Sequence, residues 1–74
     1  MVDEKLDAQG VMCPMPIVML TKKMKTMSPG QTLELVADDV GALEDVPAWV
    51  TRTKNEMVEK RQDGGKYYFV IKKK

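Results

Sequence analysis

The chain has 74 residues, 43% hydrophobic and 31% charged, which fits one folded domain over residues 1–74 and excludes a disordered chain. Its one Cys forbids an internal disulfide, and without His there is no Cys/His zinc site, Ser-His-Asp hydrolase, Cys-His protease or His phosphocarrier. Twelve Lys+Arg against eleven Asp+Glu leave a formal charge of +1, so no global bias points to nucleic acid or membrane.

Lys5 to Gln9 reads as a short strand ending at Gly10, with Leu6 and Ala8 on one face. Pro14 to Met27 reads as a helix. Pro14 falls in the first turn, where its missing N–H costs nothing, and Pro16 is still tolerated there. Ile17, Leu20, Met24 and Met27 recur at helical spacing and make one apolar stripe. Lys22, Lys23 and Lys25 lie away from it, and Lys23 and Lys25 suit the C-terminal half of the helix dipole. Ser28-Pro29-Gly30 stops the helix.

Thr32 to Ala37 reads as a strand with Leu33, Leu35 and Ala37 on one face, broken by Asp38-Asp39-Val40-Gly41. Val46 to Lys54 reads as a second helix, capped by Asp45 and with Pro47 in its first turn. A start near Ala42 is the other possibility, with Pro47 then kinking the helix. Glu56 to Gln62 and Lys66 to Lys72 read as strands joined by an Asp63-Gly64-Gly65 hairpin turn. The last strand is apolar on both faces, Tyr67, Phe69 and Ile71 alternating with Tyr68 and Val70, which suits an interior position. The terminal Lys72-Lys73-Lys74 reads as a solvated tail.

The order is β-α-β-α-β-β. Helices between the first three strands imply right-handed crossovers and parallel pairing, and the closing hairpin makes the sheet mixed. Two helices are too few to cover both faces. The fold class expected is therefore α/β, a two-layer sandwich with a mixed four-stranded sheet and both helices on one face. No spanning segment or leader is expected. The charge-free run from Ala8 to Thr21 is short and broken by Gly10, Pro14 and Pro16, and Val2-Asp3-Glu4-Lys5 is net acidic. The expected location is the cytoplasm, where a lone thiol stays reduced.

The chemistry concentrates in Gly10-Val11-Met12-Cys13-Pro14-Met15-Pro16. Cys13 precedes Pro14, at or next to the helix N-cap, where helix N–H groups and the positive end of the dipole face its sulfur. That placement stabilises a thiolate and equally suits a persulfide. The two prolines remove two N–H groups, which leaves later positions such as Met15 and Ile17 as donors. Gly10 permits a sharp turn, and the thiol is presented at the C-terminal end of a strand, where open α/β sheets place their chemistry. The competing reading is a buried small hydrophobe, which the Pro and Gly neighbours disfavour.

Other residues carry weaker signals. Asp7 orients the loop or meets a partner, or it is an exposed strand or turn-stabilising residue. Asp38, Asp39, Glu44 and Asp45 form an acidic patch or simply cap. Lys22, Lys23 and Lys25 form a basic face that steers an acidic partner or is merely solvated. Met12 and Met15 flank the thiol and suit a docking surface, whereas Met24, Met27 and Trp49 read as core. A Cu(I) site of Cys13 with nearby thioethers is conceivable chemistry, but no metal and no cofactor are expected.

Leu6-Asp7-Ala8-Gln9-Gly10-Val11-Met12-Cys13-Pro14-Met15-Pro16 resembles the signature of the TusA/SirA-like sulfur-carrier proteins, whose hallmark is Cys-Pro-x-Pro at a helix start. The resemblance continues through Lys22, Ser28-Pro29-Gly30-Gln31-Thr32-Leu33, Ala37-Asp38-Asp39 and Asp45-Val46-Pro47 to the hairpin. It implies the same sandwich, related in shape to the C-terminal domain of translation initiation factor 3. It also implies that Cys13 accepts a sulfane sulfur from a cysteine desulfurase or rhodanese-like donor and hands it to an acceptor protein. Destinations in such proteins include tRNA thiolation, molybdenum cofactor maturation and sulfur oxidation. Met12 stands where relatives often have a basic residue and Val40 where they often have Pro. Trp49-Val50 stands where some have a second Cys.

The residues alone agree with carrying. A thiolate with no resident base, resolving thiol or metal still exchanges sulfur, because that needs only a nucleophile and a leaving thiolate. The expected site is Cys13, supported by Gly10, Pro14, Pro16 and Asp7, with Met12, Met15, Lys22 and Lys23 toward partners. The alternative is a small RNA-binding or regulatory adaptor without sulfur chemistry. It is prompted by the fold analogy and the lysines, but it lacks a stacking platform beyond Tyr67, Tyr68 and Phe69, and no direct nucleic-acid contact is expected.

Overall fold

The structure, a computed structural model, describes residues 2–12 and 15–74. Among them the elements are β1 (Glu4–Ala8), α1 (Met15–Lys25), β2 (Thr32–Ala37), α2 (Ala42–Arg52), β3 (Glu56–Asp63) and β4 (Lys66–Lys72). The strands form one mixed sheet in the order β1-β2-β4-β3, the α/β arrangement expected. β1 runs parallel to β2, Leu6 opposite Leu35 and Ala8 opposite Ala37. β4 is antiparallel to both β2 and β3.

The pairing departs from expectation at one point: β3 does not pair with β2, because β4 lies between them. Residue composition explains this. β4 carries Phe69 and Ile71, both buried, on one face and the buried Val70 on the other, so it gains most from neighbours on both sides. β3 reads Glu-Met-Val-Glu-Lys-Arg-Gln-Asp, and its charges suit an edge that must resist further pairing. The hairpin turns on Gly64 and Gly65, both with positive φ, which is the type I′ geometry that only a Gly-rich pair adopts easily.

The core lies between the sheet and the helices. It contains Ala8, Leu33, Leu35, Ala37, Phe69 and Ile71 from the strands, Leu20 and Met24 from α1, and Val46, Trp49 and Val50 from α2. Met27 joins them and Ile17 packs at the margin, so the helical stripe read from spacing is the buried one. Pro16 adds to it and is fully buried. The opposite sheet face mixes Val36, Tyr68 and Val70 with charged side chains. There Arg61 pairs with Glu34 at 3.3 Å and Glu59 at 3.2 Å, and its guanidinium lies 4.4 Å from the Tyr68 ring centre. Tyr68 is thus engaged in the sheet rather than offered as a stacking platform.

α1 ends as helices often do, in a tighter turn: Thr26 N–H donates to Lys23 O and Met27 N–H to Met24 O. The carbonyls there are closed by Lys73, whose Nζ donates to Met24 O at 2.8 Å and Met27 O at 2.6 Å. Lys73 is therefore a helix cap and not part of a solvated tail. α2 begins at Ala42, the earlier of the two starts considered. Gly41 is its N-cap, with no side-chain cap bond. Asp45 is not the cap: it lies in the first turn with Glu44, where negative charge still favours the helix. Pro47 is consequently inside the helix. α2 closes on Lys54 N–H to Thr51 O and Asn55 N–H to Val50 O. That is the paired closure of a Schellman motif, with Lys54 at φ 61° in the position that favours Gly.

Candidate functional site

Ala8 and Ala37 sit opposite each other at the ends of parallel strands. The chain segments that follow them, residues 9–12 and 38–41, therefore leave the sheet at one edge. Both helices begin at that edge too, at Met15 and Ala42. Parallel strands with crossover helices bring the strand C-termini and helix N-termini together in this way.

Carboxylates organise the backbone there. Asp7 Oδ1 accepts the Gln9 N–H at 2.9 Å, an Asx turn that closes β1. Asp38 accepts the Gly10 N–H on both oxygens, at 3.0 and 3.1 Å. Asp39 Oδ1 accepts the Gly41 N–H at 3.2 Å, and its carbonyl accepts from Ala42. Gly10 has φ +80°, and a Cβ there would meet nothing within 4 Å. The glycine is thus needed for its backbone conformation and not for space.

Cys13 and Pro14, expected as the reactive thiol and the proline that starts the helix, lie outside the described residues. The residues on either side are placed. Met12 is 78% and Met15 48% exposed, as a docking role requires. Met15 N–H donates to Met12 O at 2.8 Å, so this donor, expected for an anion at the helix start, is engaged within the chain. Val40, 66% exposed, adds an apolar side chain on the neighbouring loop, at a position to which the sequence alone assigns no role. An exposed Val between Asp39 and Gly41 carries no periodicity that could have flagged it. The sequence offers Asp38 as part of an acidic patch or as a cap; nothing local indicates its bond to Gly10, since the partners are 28 positions apart.

The structure gathers Asp7, Gly10, Met12 and Met15 at one edge. It does not gather the two lysines there. Lys22 and Lys23 belong to the last turn of α1, seven and eight residues beyond Met15, which places them about 10 Å further along the axis. Lys22 is exposed, and Lys23 Nζ is 2.8 Å from Glu4 Oε1, which ties α1 to β1. Pro16, expected to brace the site, is fully buried in the core. Trp49 is buried, with its Nε1–H donated to Thr21 Oγ1 at 3.1 Å, and Thr21 in turn donates to Ile17 O at 2.8 Å.

Among the described residues, no three His, Cys, Asp or Glu side chains are grouped to hold a metal ion, and no helix is long and apolar enough to cross a membrane. The family described as Sulfurtransferase TusA matches residues 4–73. The sulfur carrier protein TusA of Allochromatium vinosum is 44% identical over 71 residues, which cover 96% of this chain and 93% of that protein. The match runs through both strand ends, the Asp7–Gly10 turn and the Cys-Pro-x-Pro segment alike, and the chain belongs to the TusA family of sulfurtransferases.

Proposed function

We propose that this protein is a sulfur carrier of one domain that shuttles a sulfane sulfur on Cys13. The observation that carries the reading is the family match over residues 4–73 of a chain with a single cysteine, together with a relative named as a sulfur carrier protein. The Cys13 thiolate attacks the outer sulfur of a persulfide on a cysteine desulfurase or rhodanese-like donor. A new S–S bond forms on Cys13, the donor's own S–S bond breaks, and the donor cysteine leaves as a thiolate. An acceptor thiolate repeats the exchange in the other direction. No net oxidation occurs, and no in-chain base is needed. The acceptor serves tRNA thiolation, cofactor maturation or sulfur oxidation, the destinations that the resemblance implies. The exchange needs Cys13 as a reduced thiol, a state that the cytoplasm maintains.

In this reading Asp7, Gly10, Pro14 and Pro16 shape the segment that bears the thiol. Met12 and Met15 contact partners directly, while Lys22 and Lys23 lie further along α1 and steer approach. Incubation with a cysteine desulfurase and free cysteine adds one sulfur atom to the intact mass, and a thiol reductant removes it. Cys13→Ser takes up none. Equal loading of Cys13→Ser overturns the reading.

A further inference from the structure

We propose that Asp38 is a positioning residue for sulfur transfer: its carboxylate clamps the Gly10 N–H and so fixes the course of the segment leading to Cys13. This rests on the carrier reading above. Gln9, Gly10 and Met12 are exposed, and Val11 alone of residues 9–12 packs against the core. Exposed backbone with few apolar contacts is the part of a fold that opens most easily. Gly10 makes the matter sharper, since glycine has the widest choice of backbone conformations and no neighbouring atoms crowd its Cα. Something other than packing must hold it.

Among the described residues, three polar contacts act on this segment. Asp7 to Gln9 is local, two positions apart, and moves with the loop. Met15 to Met12 ties the segment to the start of α1. Asp38 lies just past the end of β2, 28 positions away, and follows Ala37, which is fully buried and paired with Ala8 in the sheet. Its base is therefore rigid, and both oxygens lie within 3.1 Å of one N–H, a charge-assisted bond of the stronger kind. It is the contact that fixes the loop relative to the sheet rather than relative to itself.

Exchange between two protein-bound sulfurs needs the attacking thiolate, the outer sulfur and the leaving sulfur in line, and small displacements cost large factors in rate. Asp38 forms no bond in that step and moves no proton. It acts by holding Gly10, so an uncharged acceptor of the same shape serves in its place. A small reagent that approaches the thiol from any side does not need the alignment.

The test uses the full chain with Asp38→Ala and Asp38→Asn. Loading of Cys13 by a cysteine desulfurase and cysteine is followed by intact mass, and alkylation by iodoacetamide is followed across pH. Asp38→Ala slows loading about tenfold, while Asp38→Asn, whose amide oxygen still accepts the Gly10 N–H, stays within about threefold of the parent. The midpoint of the alkylation profile stays where it is in both. Loading of Asp38→Ala at the parent rate overturns the clamp. So does equal loss in both variants with a displaced alkylation midpoint, since charge at the thiol then explains the effect. A measurement on the unaltered protein guards against misfolding of a variant: the Gly10 amide exchanges with solvent slowly, and exchange at the unprotected rate overturns the proposal. Loading of Cys13→Ser instead sinks the carrier reading itself, and the two failures cannot be confused.

Discussion

The two ends of the sandwich are built on opposite chemistry. At one end the helices finish and their carbonyls are closed from within the chain: Lys73 caps α1 and a Schellman turn caps α2, while nearby Lys74 N–H donates to the side-chain oxygen Asn55 Oδ1. At the other end the strands finish and the helices begin, and carboxylates of Asp7, Asp38 and Asp39 gather backbone N–H groups. The first end places one cation, Lys73, on the carbonyls of α1, and the second places carboxylates on amides, the signs that the helix dipole favours at each end. They differ in what is left over. The closing end engages its helix carbonyls within the chain, while the other leaves Met12, Met15 and Val40 exposed. If sulfur transfer takes place as proposed, stability and function are separated along the long axis of the helices, and substitutions at the two ends should report on different properties.

The largest effect belongs to Lys73. Lys73→Met keeps the aliphatic stem but removes an ammonium that serves two carbonyls. A hydrogen bond to a charged group contributes about 1.5–3 kcal/mol, so a loss of about 2 kcal/mol is expected, or roughly 8–16 °C in Tm for a domain this small. Sulfur loading at a temperature where the variant is folded should be unchanged. A slowed transfer with intact stability would collapse the separation between the ends.

Next is Thr21→Val. The shapes match, but the Trp49 Nε1–H loses its acceptor inside a core where Trp49 is 4% exposed. An unpaired buried donor costs about 1–3 kcal/mol, here about 1.5 kcal/mol, read as a lower urea midpoint with an unaltered slope. Lys54→Gly works in the other direction. Lys54 holds φ 61° at the end of α2, a conformation that strains any residue with a Cβ by about 1 kcal/mol. The glycine variant should gain roughly that amount, checked in the same titration. No gain would mean that the Lys54 side chain compensates for the strain.

How far the sequence foretold this division follows from the range of each interaction. Thr32–Ala37 and Lys66–Lys72 are strands over the residues their alternation indicates, because alternation is local and register on a half-buried face is unforgiving. The interior position of the last strand was visible for the same reason. The start of α2 was harder to see. Asp45 followed by Val46 and Pro47 imitates a capped helix start, whereas the true cap, Gly41, has no side chain to announce it. Lys73 reads as part of a charged tail until β4 is laid antiparallel to β2, which brings it beside the end of α1. The Asp38 bond to Gly10 likewise exists only after the two strand ends meet. On the site itself, Met12 and Met15 were expected at the surface because they flank the cysteine outside the helical stripe, and they are there. The lysines of α1 share a face by spacing, but spacing does not say which end of the helix the chemistry occupies.

The smallest effect on stability, and the most informative about the other end, comes from Met12→Ser combined with Met15→Ser. Both side chains are substantially exposed, so their removal uncovers little that folding had hidden, and surface changes of this kind stay within about 0.5 kcal/mol. Large apolar groups left in water next to a reactive segment are what a partner covers on docking, and thioethers adapt their shape to more than one partner. The double variant should therefore accept sulfur from inorganic polysulfide, which needs no docking, at the parent rate. Uptake from a desulfurase should require several-fold more donor protein for half-maximal rate. If both donors serve the variant equally well, the exposed methionines are ordinary surface and the contrast between the ends reduces to backbone capping. If polysulfide loading also falls, the methionines act on the thiol itself, and the docking role fails.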